Sequence, residues 1–274
     1  MMSSNDSFHY QHIEELPGVV ISEAKLTEFH FQPHYHLDYH IGLVTQGSQH
    51  QKVQHKTLDL VPKQICLMPP GEVHDGSGRD NTTRHLKTFR IPVELMQAAL
   101  LDSQARDTNL QLAPSIIDQP AHNRSFLQLI QAFNPNQYAS QLHKDSLWTN
   151  ALSNLLLAAE KKPLSQETFA LTNQQLKHVR EYCEANLSSK ISLNNLAELC
   201  GLTRFQFIRR FQKQTGLPPH AWLMRLRLER AITQLTKPNA VITDIAADVG
   251  FYDQSHFNRA FKQAFGVAPS SYRS

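Results

Sequence analysis

The segment Leu196-Ala197-x3-Gly201-x5-Phe207-x-Arg209-x-Phe211-x4-Gly216-x2-Pro219 recurs as Ile245-Ala246-x3-Gly250-x6-Phe257-x-Arg259-x-Phe261-x4-Gly266-x2-Pro269. The offset is 49 residues before the glycine turn and 50 after it, so the second copy has one extra turn residue. Each copy opens on a polar residue suited to cap a short helix, Ser192 and Thr243, because a capping hydroxyl satisfies an orphan backbone N–H. A glycine follows each short apolar helix, where a left-handed exit carries no Cβ penalty. A second helix then carries Phe-x-Arg-x-Phe with its aromatics turned inward. Helix, glycine turn, helix is the grammar of a helix-turn-helix. A generic αα-hairpin repeat is the competing reading. Solenoids stack three or more copies at roughly 33–47 residues, so two copies at about 50 fit that reading poorly.

The segment between the copies supports two modules. Met224, Leu228, Ala231 and Leu235 mark one helix face, while Trp222 and Leu226 point roughly the other way. A helix apolar on two sides sits between two bodies. The second copy, Ile245-Ala246-Ala247-Asp248-Val249-Gly250-Phe251-Tyr252-Asp253-Gln254-Ser255-His256-Phe257-Asn258-Arg259-Ala260-Phe261-Lys262, through Gly266 and Pro269 to Tyr272 and Arg273, closely resembles the C-terminal signature of the AraC/XylS family of transcription regulators. The resemblance covers about residues 172–274. It implies two helix-turn-helix units joined by a long helix, with recognition helices entering successive major-groove segments of double-stranded DNA. The positions that match the family's reading face are Arg204, Phe205, Gln206, Ile208 and Arg209 in the first unit. In the second they are Gln254, Ser255, His256, Asn258 and Arg259, with Lys213 and Lys262 suited to phosphates. Phe205 and Ile208 make the first face partly apolar and suited to thymine methyl contact, which leaves its base preference open.

Charge points the same way. The net charge of +3 divides unevenly: residues 1–164 hold 13 Lys+Arg against 16 Asp+Glu, and residues 165–274 hold 14 against 8. A basic C-terminal third is the electrostatic footprint of a nucleic-acid binder, although a solvated charged face gives the same count. At 274 residues the chain is long enough for two domains. With 41% hydrophobic and 19% charged residues it reads as soluble and globular. No run approaches the ~18 apolar residues of a spanning helix, and Met1-Met2-Ser3-Ser4-Asn5-Asp6 lacks a basic region followed by an apolar stretch. Cys66, Cys183 and Cys200 contain no CxxC pair. That excludes a disulfide framework or four-cysteine zinc site and places the chain in the reducing cytoplasm, away from membranes.

The first half reads as strands: Val19–Ile21, Tyr39–Val44, Gln64–Met68 and His85–Ile91, with turn signals at Gln46–Ser48, Pro69–Gly71 and Gly76–Asp80. Short strands at such intervals suggest a barrel or sandwich. From about residue 92 the period lengthens. Phe126, Leu129, Ile130 and Phe133, then Trp148, Leu152, Leu155 and Ala159, fall at helical spacing. Each stripe suits domain core, or a dimer interface near residues 123–160. Glu160–Glu167 is polar and proline-broken, the best linker. The expected architecture is therefore α+β. A cupin-like barrel with flanking helices occupies residues 1–160 and a linker 161–172. An all-α domain of two helix-turn-helix units occupies 173–274.

His34-Tyr35-His36 and Pro69-Pro70-Gly71-Glu72-Val73-His74 resemble the two metal-binding motifs of cupin barrels. In AraC-type regulators such a domain commonly senses a small molecule, so the resemblance implies an effector site lined by His34, His36, His40 and His74. His40 stands where a metal cupin has a glutamate. Four imidazoles could hold Zn²⁺, Ni²⁺, Cu²⁺ or Fe²⁺. A metal-free polar pocket is the reading favoured over a metal. Solvated histidines are open too, because on one extended strand His34, His36, Asp38 and His40 share a face opposite Tyr35, Leu37, Tyr39 and Ile41. His9, His12, His30, His50 and His55 have no shared spacing. There is no GxSxG, HExxH, P-loop or GxGxxG pattern. The expectation is a non-enzymatic, cytoplasmic, homodimeric regulator of transcription that requires no cofactor. It is controlled by a small-molecule effector and partners RNA polymerase if it activates. The alternative is a metal-binding cupin, sensor or enzyme, fused to a DNA-binding domain.

Overall fold

The computed structural model describes residues 6–53, 56–79, 82–102, 110–134, 136, 139–163 and 170–273. The chain divides into two compact units, one of residues 1–31 and 36–164, the other of residues 32–35 and 165–274. The N-terminal part runs through β1 (Ser7–His12), β2 (Val20–Leu26), β3 (Phe31–His34), β4 (Tyr39–Gln46), β5 (Gln49–Val53), β6 (Lys56–Leu60), β7 (Ile65–Met68), β8 (His74–Gly78) and β9 (Arg84–Ile91). Helix α1 (Val93–Asp102), strands β10 (Leu110–Leu112) and β11 (Ser115–Ile117), helices α2 (Pro120–Ala132) and α3 (Gln141–Ala158), and strand β12 (Lys161–Pro163) follow.

Six strands form one sheet in the order β1-β2-β9-β4-β7-β11, and four form a second in the order β3-β8-β5-β6. The sheets keep separate hydrogen-bonding ladders. Among the described residues they form two sheets rather than one closed barrel, an arrangement consistent with the cupin-like, strand-rich domain expected from the sequence.

Strand periodicity explains the core. Along β4, β7 and β9 the residues Ile41, Leu43, Ile65, Leu67, Phe89 and Ile91 all face one cluster, which they share with Phe126, Leu129, Ile130, Phe133, Leu152 and Leu155. The alternate residues Val44, Cys66, Met68 and Leu86 meet Val53, Leu58 and Leu60 of the second sheet. One face of the large sheet is therefore packed under helices and the other under a sheet, as a period of two requires. Both helical stripes read from the sequence are core. Phe126, Leu129, Leu152 and Leu155 are buried, and Trp148 packs half-buried against the same cluster. Trp148 is thus not a free interface residue.

Two other expectations change. Gly76 and Gly78 lie inside β8, not in a turn; a Cβ on Gly76 would fall 2.2 Å from Gln49 Nε2, so only glycine lets β5 approach there. The segment read as a linker starts as β12, which pairs with β10; residues 164–169 lie outside the described residues.

The second unit contains α4 (Asn173–Ala185), α5 (Leu193–Leu199), α6 (Arg204–Thr215), α7 (Pro219–Leu235), α8 (Ile242–Asp248), α9 (Gln254–Phe265) and α10 (Pro269–Arg273). Phe207, Phe211, Phe257 and Phe261 are fully buried. Helix α7 is buried on both sides, through Trp222 and Leu226 as well as Leu228, Ala231 and Leu235. Phe211 meets Trp222 edge-on at 5.5 Å, and Phe261 meets Tyr272 in the same manner at 5.6 Å. Trp222 and Tyr272 lie 50 residues apart, so the repeat continues into α7 and α10.

Candidate nucleic-acid interface and histidine cluster

Helices α5–α6 and α8–α9 are the two helix-turn-helix pairs. Gly201 and Gly250 exit the first helix of each pair at φ +65° and +82°, and Gly216 and Gly266 end the second helices at φ +74° and +76°. Ser192 caps α5 as expected, accepting from the Asn195 N–H. Thr243 does not cap α8. That helix begins two residues earlier than such a cap implies, with Val241 at the cap and no side-chain acceptor. The Thr243 hydroxyl instead donates to Gln254 Oε1 at 3.0 Å, tying α8 to the start of α9. Thr203 and Asp253 cap α6 and α9 through the N–H groups of Gln206 and His256.

The buried aromatics fix which sides of α6 and α9 face solvent. Arg204, Phe205, Gln206, Arg209 and Lys213 are exposed on α6, with Ile208 half-buried. Gln254, Ser255, His256, Arg259 and Lys262 are exposed on α9, with Asn258 half-buried. Phe205 keeps 86% exposure despite its size, and Tyr252, in the turn before α9, keeps 96%. The sequence reading passed over Tyr252 although it sits in the quoted signature. Two capped helices thus present polar and cationic faces with N-terminal N–H groups at hand, the equipment for phosphate and base-edge contacts.

Residues 32–35 belong to this second unit. The fully buried Tyr35 stacks on Trp222 with ring centroids 5.7 Å apart and donates its hydroxyl to Trp222 O at 3.1 Å. Burial pushes its phenol pKa up, so it stays a donor. Arg225 Nε donates to Tyr35 O at 2.7 Å, while Arg225 Nη2 pairs with buried Glu229 Oε1 at 2.8 Å.

The histidine cluster follows from sheet register. In the antiparallel pair β4–β7, His40 faces Met68, so the chain before His40 and after Met68 leaves the sheet at one end. The Pro69–Gly71 turn then bonds back, Gly71 N–H donating to His36 O at 2.8 Å. Motifs far apart in sequence meet this way. His36 and His74 come together, their ring centroids 5.2 Å apart. Residues 34–40 are not one strand: β3 ends at His34 and β4 starts at Tyr39. His36 and His74 are consequently buried rather than solvated, and Tyr35 turns away from them. The His40 ring stacks on that of His36, centroids 3.4 Å apart and 13° from parallel. Asp38 is held by Arg90 Nε at 2.6 Å.

The cysteines take no part. Cys66 and Cys183 are buried, which pushes each thiol up to about 12, far from the thiolate form that binds metal or reacts.

Family comparisons agree with this geometry. Residues 16–152 match the AraC-like ligand binding domain, and residues 196–274 match a helix-turn-helix domain. The chain belongs to the AraC family of transcriptional regulators. It is an AraC-family regulator with an N-terminal ligand-binding domain and a C-terminal helix-turn-helix DNA-binding domain. The HTH-type transcriptional activator RhaS of Escherichia coli (strain SE11) is 26% identical over 93% of this chain and 91% of its own. The uncharacterized HTH-type transcriptional regulator YbfI of Bacillus subtilis (strain 168) is 24% identical over 82% of this chain and 81% of its own. Among solved structures, unsaturated fatty acid-bound ToxT from Vibrio cholerae superposes with a TM-score of 0.62 at 13% identity, covering all of this chain and 96% of ToxT. That likeness shows a shared fold for this AraC-family chain. No described helix is long and apolar enough to cross a membrane.

Proposed function

We propose that this AraC-family chain is a non-catalytic, cytoplasmic regulator that binds a specific operator through α6 and α9. A small ligand in the N-terminal domain sets its affinity for DNA. The observation that carries the reading is the repeated presentation of α6 and α9, each side-chain-capped and exposing Arg209 or Arg259 opposite its buried aromatics. A ligand regulates only by binding the DNA-competent and incompetent states differently. Similarity to RhaS, named an activator, favours activation, with RNA polymerase as the further partner.

Footprinting with the full-length protein tests operator binding. Arg259→Ala is expected to cost about 1–3 kcal/mol, concentrated at one base-pair position, if the guanidinium reads guanine. Lys262→Ala is expected instead to weaken all sequences alike and to reduce the salt slope by about one. A full-length chain that protects no specific sequence at low salt sinks the reading.

We also propose that the regulator is a homodimer. With the apolar stripes consumed by the core, the surface left to carry it is the outward side of α3. Leu142 and Leu157 there are each 77% exposed and about 60° apart around the helix, given 3.6 residues per turn. Leu142→Asp with Leu157→Asp is expected to convert dimer to monomer in sedimentation without lowering the melting temperature. Wild-type protein that sediments as a monomer refutes the assignment.

A further inference from the structure

We propose that Tyr252 is a DNA-backbone contact of the second helix-turn-helix unit. Its hydroxyl donates to a phosphate oxygen while its ring lies on the adjoining deoxyribose. This adds a residue and a contact to the operator-binding reading above, and rests on it.

The two helix-turn-helix turns match bond for bond until Tyr252. Gly201 N–H donates to Glu198 O at 3.0 Å, and Leu202 N–H to Ala197 O at 3.0 Å. At an offset of 49 residues, Gly250 N–H donates to Ala247 O at 2.9 Å, and Phe251 N–H to Ala246 O at 2.8 Å. From the caps onward the offset is 50, Thr203 answering to Asp253 and buried Phe207 to buried Phe257. Leu202 is therefore the counterpart of Phe251, and the residue without a counterpart is Tyr252. The extra turn residue of the repeat is an aromatic.

Its neighbours are held on both sides. Phe251 is buried, with its ring edge-on to that of Phe257 at 5.2 Å and to that of His256 at 5.1 Å. Asp253 Oδ1 accepts from the His256 N–H at 2.6 Å. One added residue brings up to ~3.6 Å of chain, and between two fixed points that length bulges outward. Tyr252 accordingly keeps 96% exposure, with no side-chain hydrogen bond or ring contact among the described residues. Its ring contributes nothing to the fold. A scattered surface aromatic is ordinary, but this one is an insertion, placed at the start of a reading helix.

Position and chemistry select DNA as what it meets. Gln254, Ser255, His256, Arg259 and Lys262, the exposed face of α9, follow Tyr252 directly. A recognition helix contacts base edges with its N-terminal residues, which brings the turn before it alongside the groove wall. That wall is phosphate and sugar. A phenol offers an uncharged donor on an apolar ring, and a hydrogen bond to an anionic oxygen is roughly twice as strong as a neutral one. The shorter Asp253 carboxylate is held to its own helix by the capping bond, and the phenol reaches past it. Phosphate contacts fix register without carrying sequence. Tyr252 thus seats α9 in its groove and leaves base discrimination to the helix.

The experiment titrates full-length wild type, Tyr252→Phe and Tyr252→Ala against two labelled duplexes at low salt, the footprinted operator and one of scrambled sequence. Tyr252→Phe should weaken both about 10-fold, the loss of one hydrogen bond to a charged group. Tyr252→Ala also loses the apolar contact of the ring and should weaken both roughly a further 5-fold. A neutral phenol releases no counterion, so the slope of log K against log salt should stay unchanged in both variants, whereas Lys262→Ala lowers it by about one. Melting temperatures should not move, because the side chain packs on nothing. Tyr252→Phe binding both duplexes as tightly as wild type overturns the assignment. A loss confined to the operator marks a base contact and overturns it as well. A chain that footprints no operator fails the regulatory reading, yet the scrambled duplex still tests Tyr252, so either can fail alone.

Discussion

Gly250→Ala is expected to cost the helical unit more than about 4 kcal/mol, in the range reserved for severe steric or burial faults. Gly201→Ala, at the same place in the first copy of the repeat, should cost only about 1–2 kcal/mol. Both glycines are left-handed, so both variants pay the left-handed penalty of roughly 1–2 kcal/mol. Their surroundings differ. A Cβ on Gly201 meets nothing within 4 Å, whereas on Gly250 it would fall 2.0 Å from Leu187 O and 2.7 Å from Arg227 Nη2. Neither neighbour can step aside cheaply. Leu187 O is backbone just beyond α4, and Arg227 Nη2 donates to it at 3.0 Å and to Ser189 O at 3.3 Å. Relieving the clash therefore means parting α4 from α7 and α8. Urea unfolding of the two variants side by side checks this, and equal losses would show that the contact around Gly250 does not decide its cost.

That difference between equivalent positions shows what a sequence can and cannot carry. The repeat was legible because identical physical demands, a left-handed exit and two buried phenylalanines, recur at one spacing. Its extension to Trp222 and Tyr272, each three residues after its proline, was passed over until the packing against Phe211 and Phe261 showed it. Where the helix starts was not legible. Thr243 looks like a cap, yet Val241 holds that position, and the hydroxyl serves Gln254 across the turn.

In the N-terminal part, β4, β7 and β9 were legible because they are central strands with apolar residues on both faces. By contrast β1, β3, β5, β6 and β8 hold histidine, glutamine, lysine and glycine, and declare themselves only through partners such as Gln49 beside Gly76. The histidine motifs were visible, but not their register. His36 separates from the strand pattern because Tyr35 is claimed by Trp222 and by Arg225, residues nearly two hundred positions away that no local pattern announces.

Arg225→Ala should accordingly be among the most damaging single changes in the helical unit, at about 3–5 kcal/mol. Glu229 is fully buried, and Arg225 is its ion-pair partner at 2.8 Å. Removing the cation leaves a carboxylate in a low-dielectric interior, and that uncompensated charge is what makes breaking a buried pair so costly. The same guanidinium lies 4.8 Å from the Phe265 ring centroid and donates to Tyr35 O, so the truncation also removes a cation–π contact and a donor. Arg225→Lys should recover only part of the loss, because a compact ammonium lacks the planar fork that serves the carboxylate and the carbonyl together. The double variant Arg225→Met, Glu229→Leu removes both charges at similar volume and should be far more stable than Arg225→Ala. It should still fall short of wild type, since Tyr35 O, on a fully buried residue, keeps no Arg225 donor, a deficit of about 1–3 kcal/mol. Denaturant unfolding of the three variants measures the ordering. If the double variant is no more stable than Arg225→Ala, the cost lies in lost packing rather than in the stranded Glu229 charge.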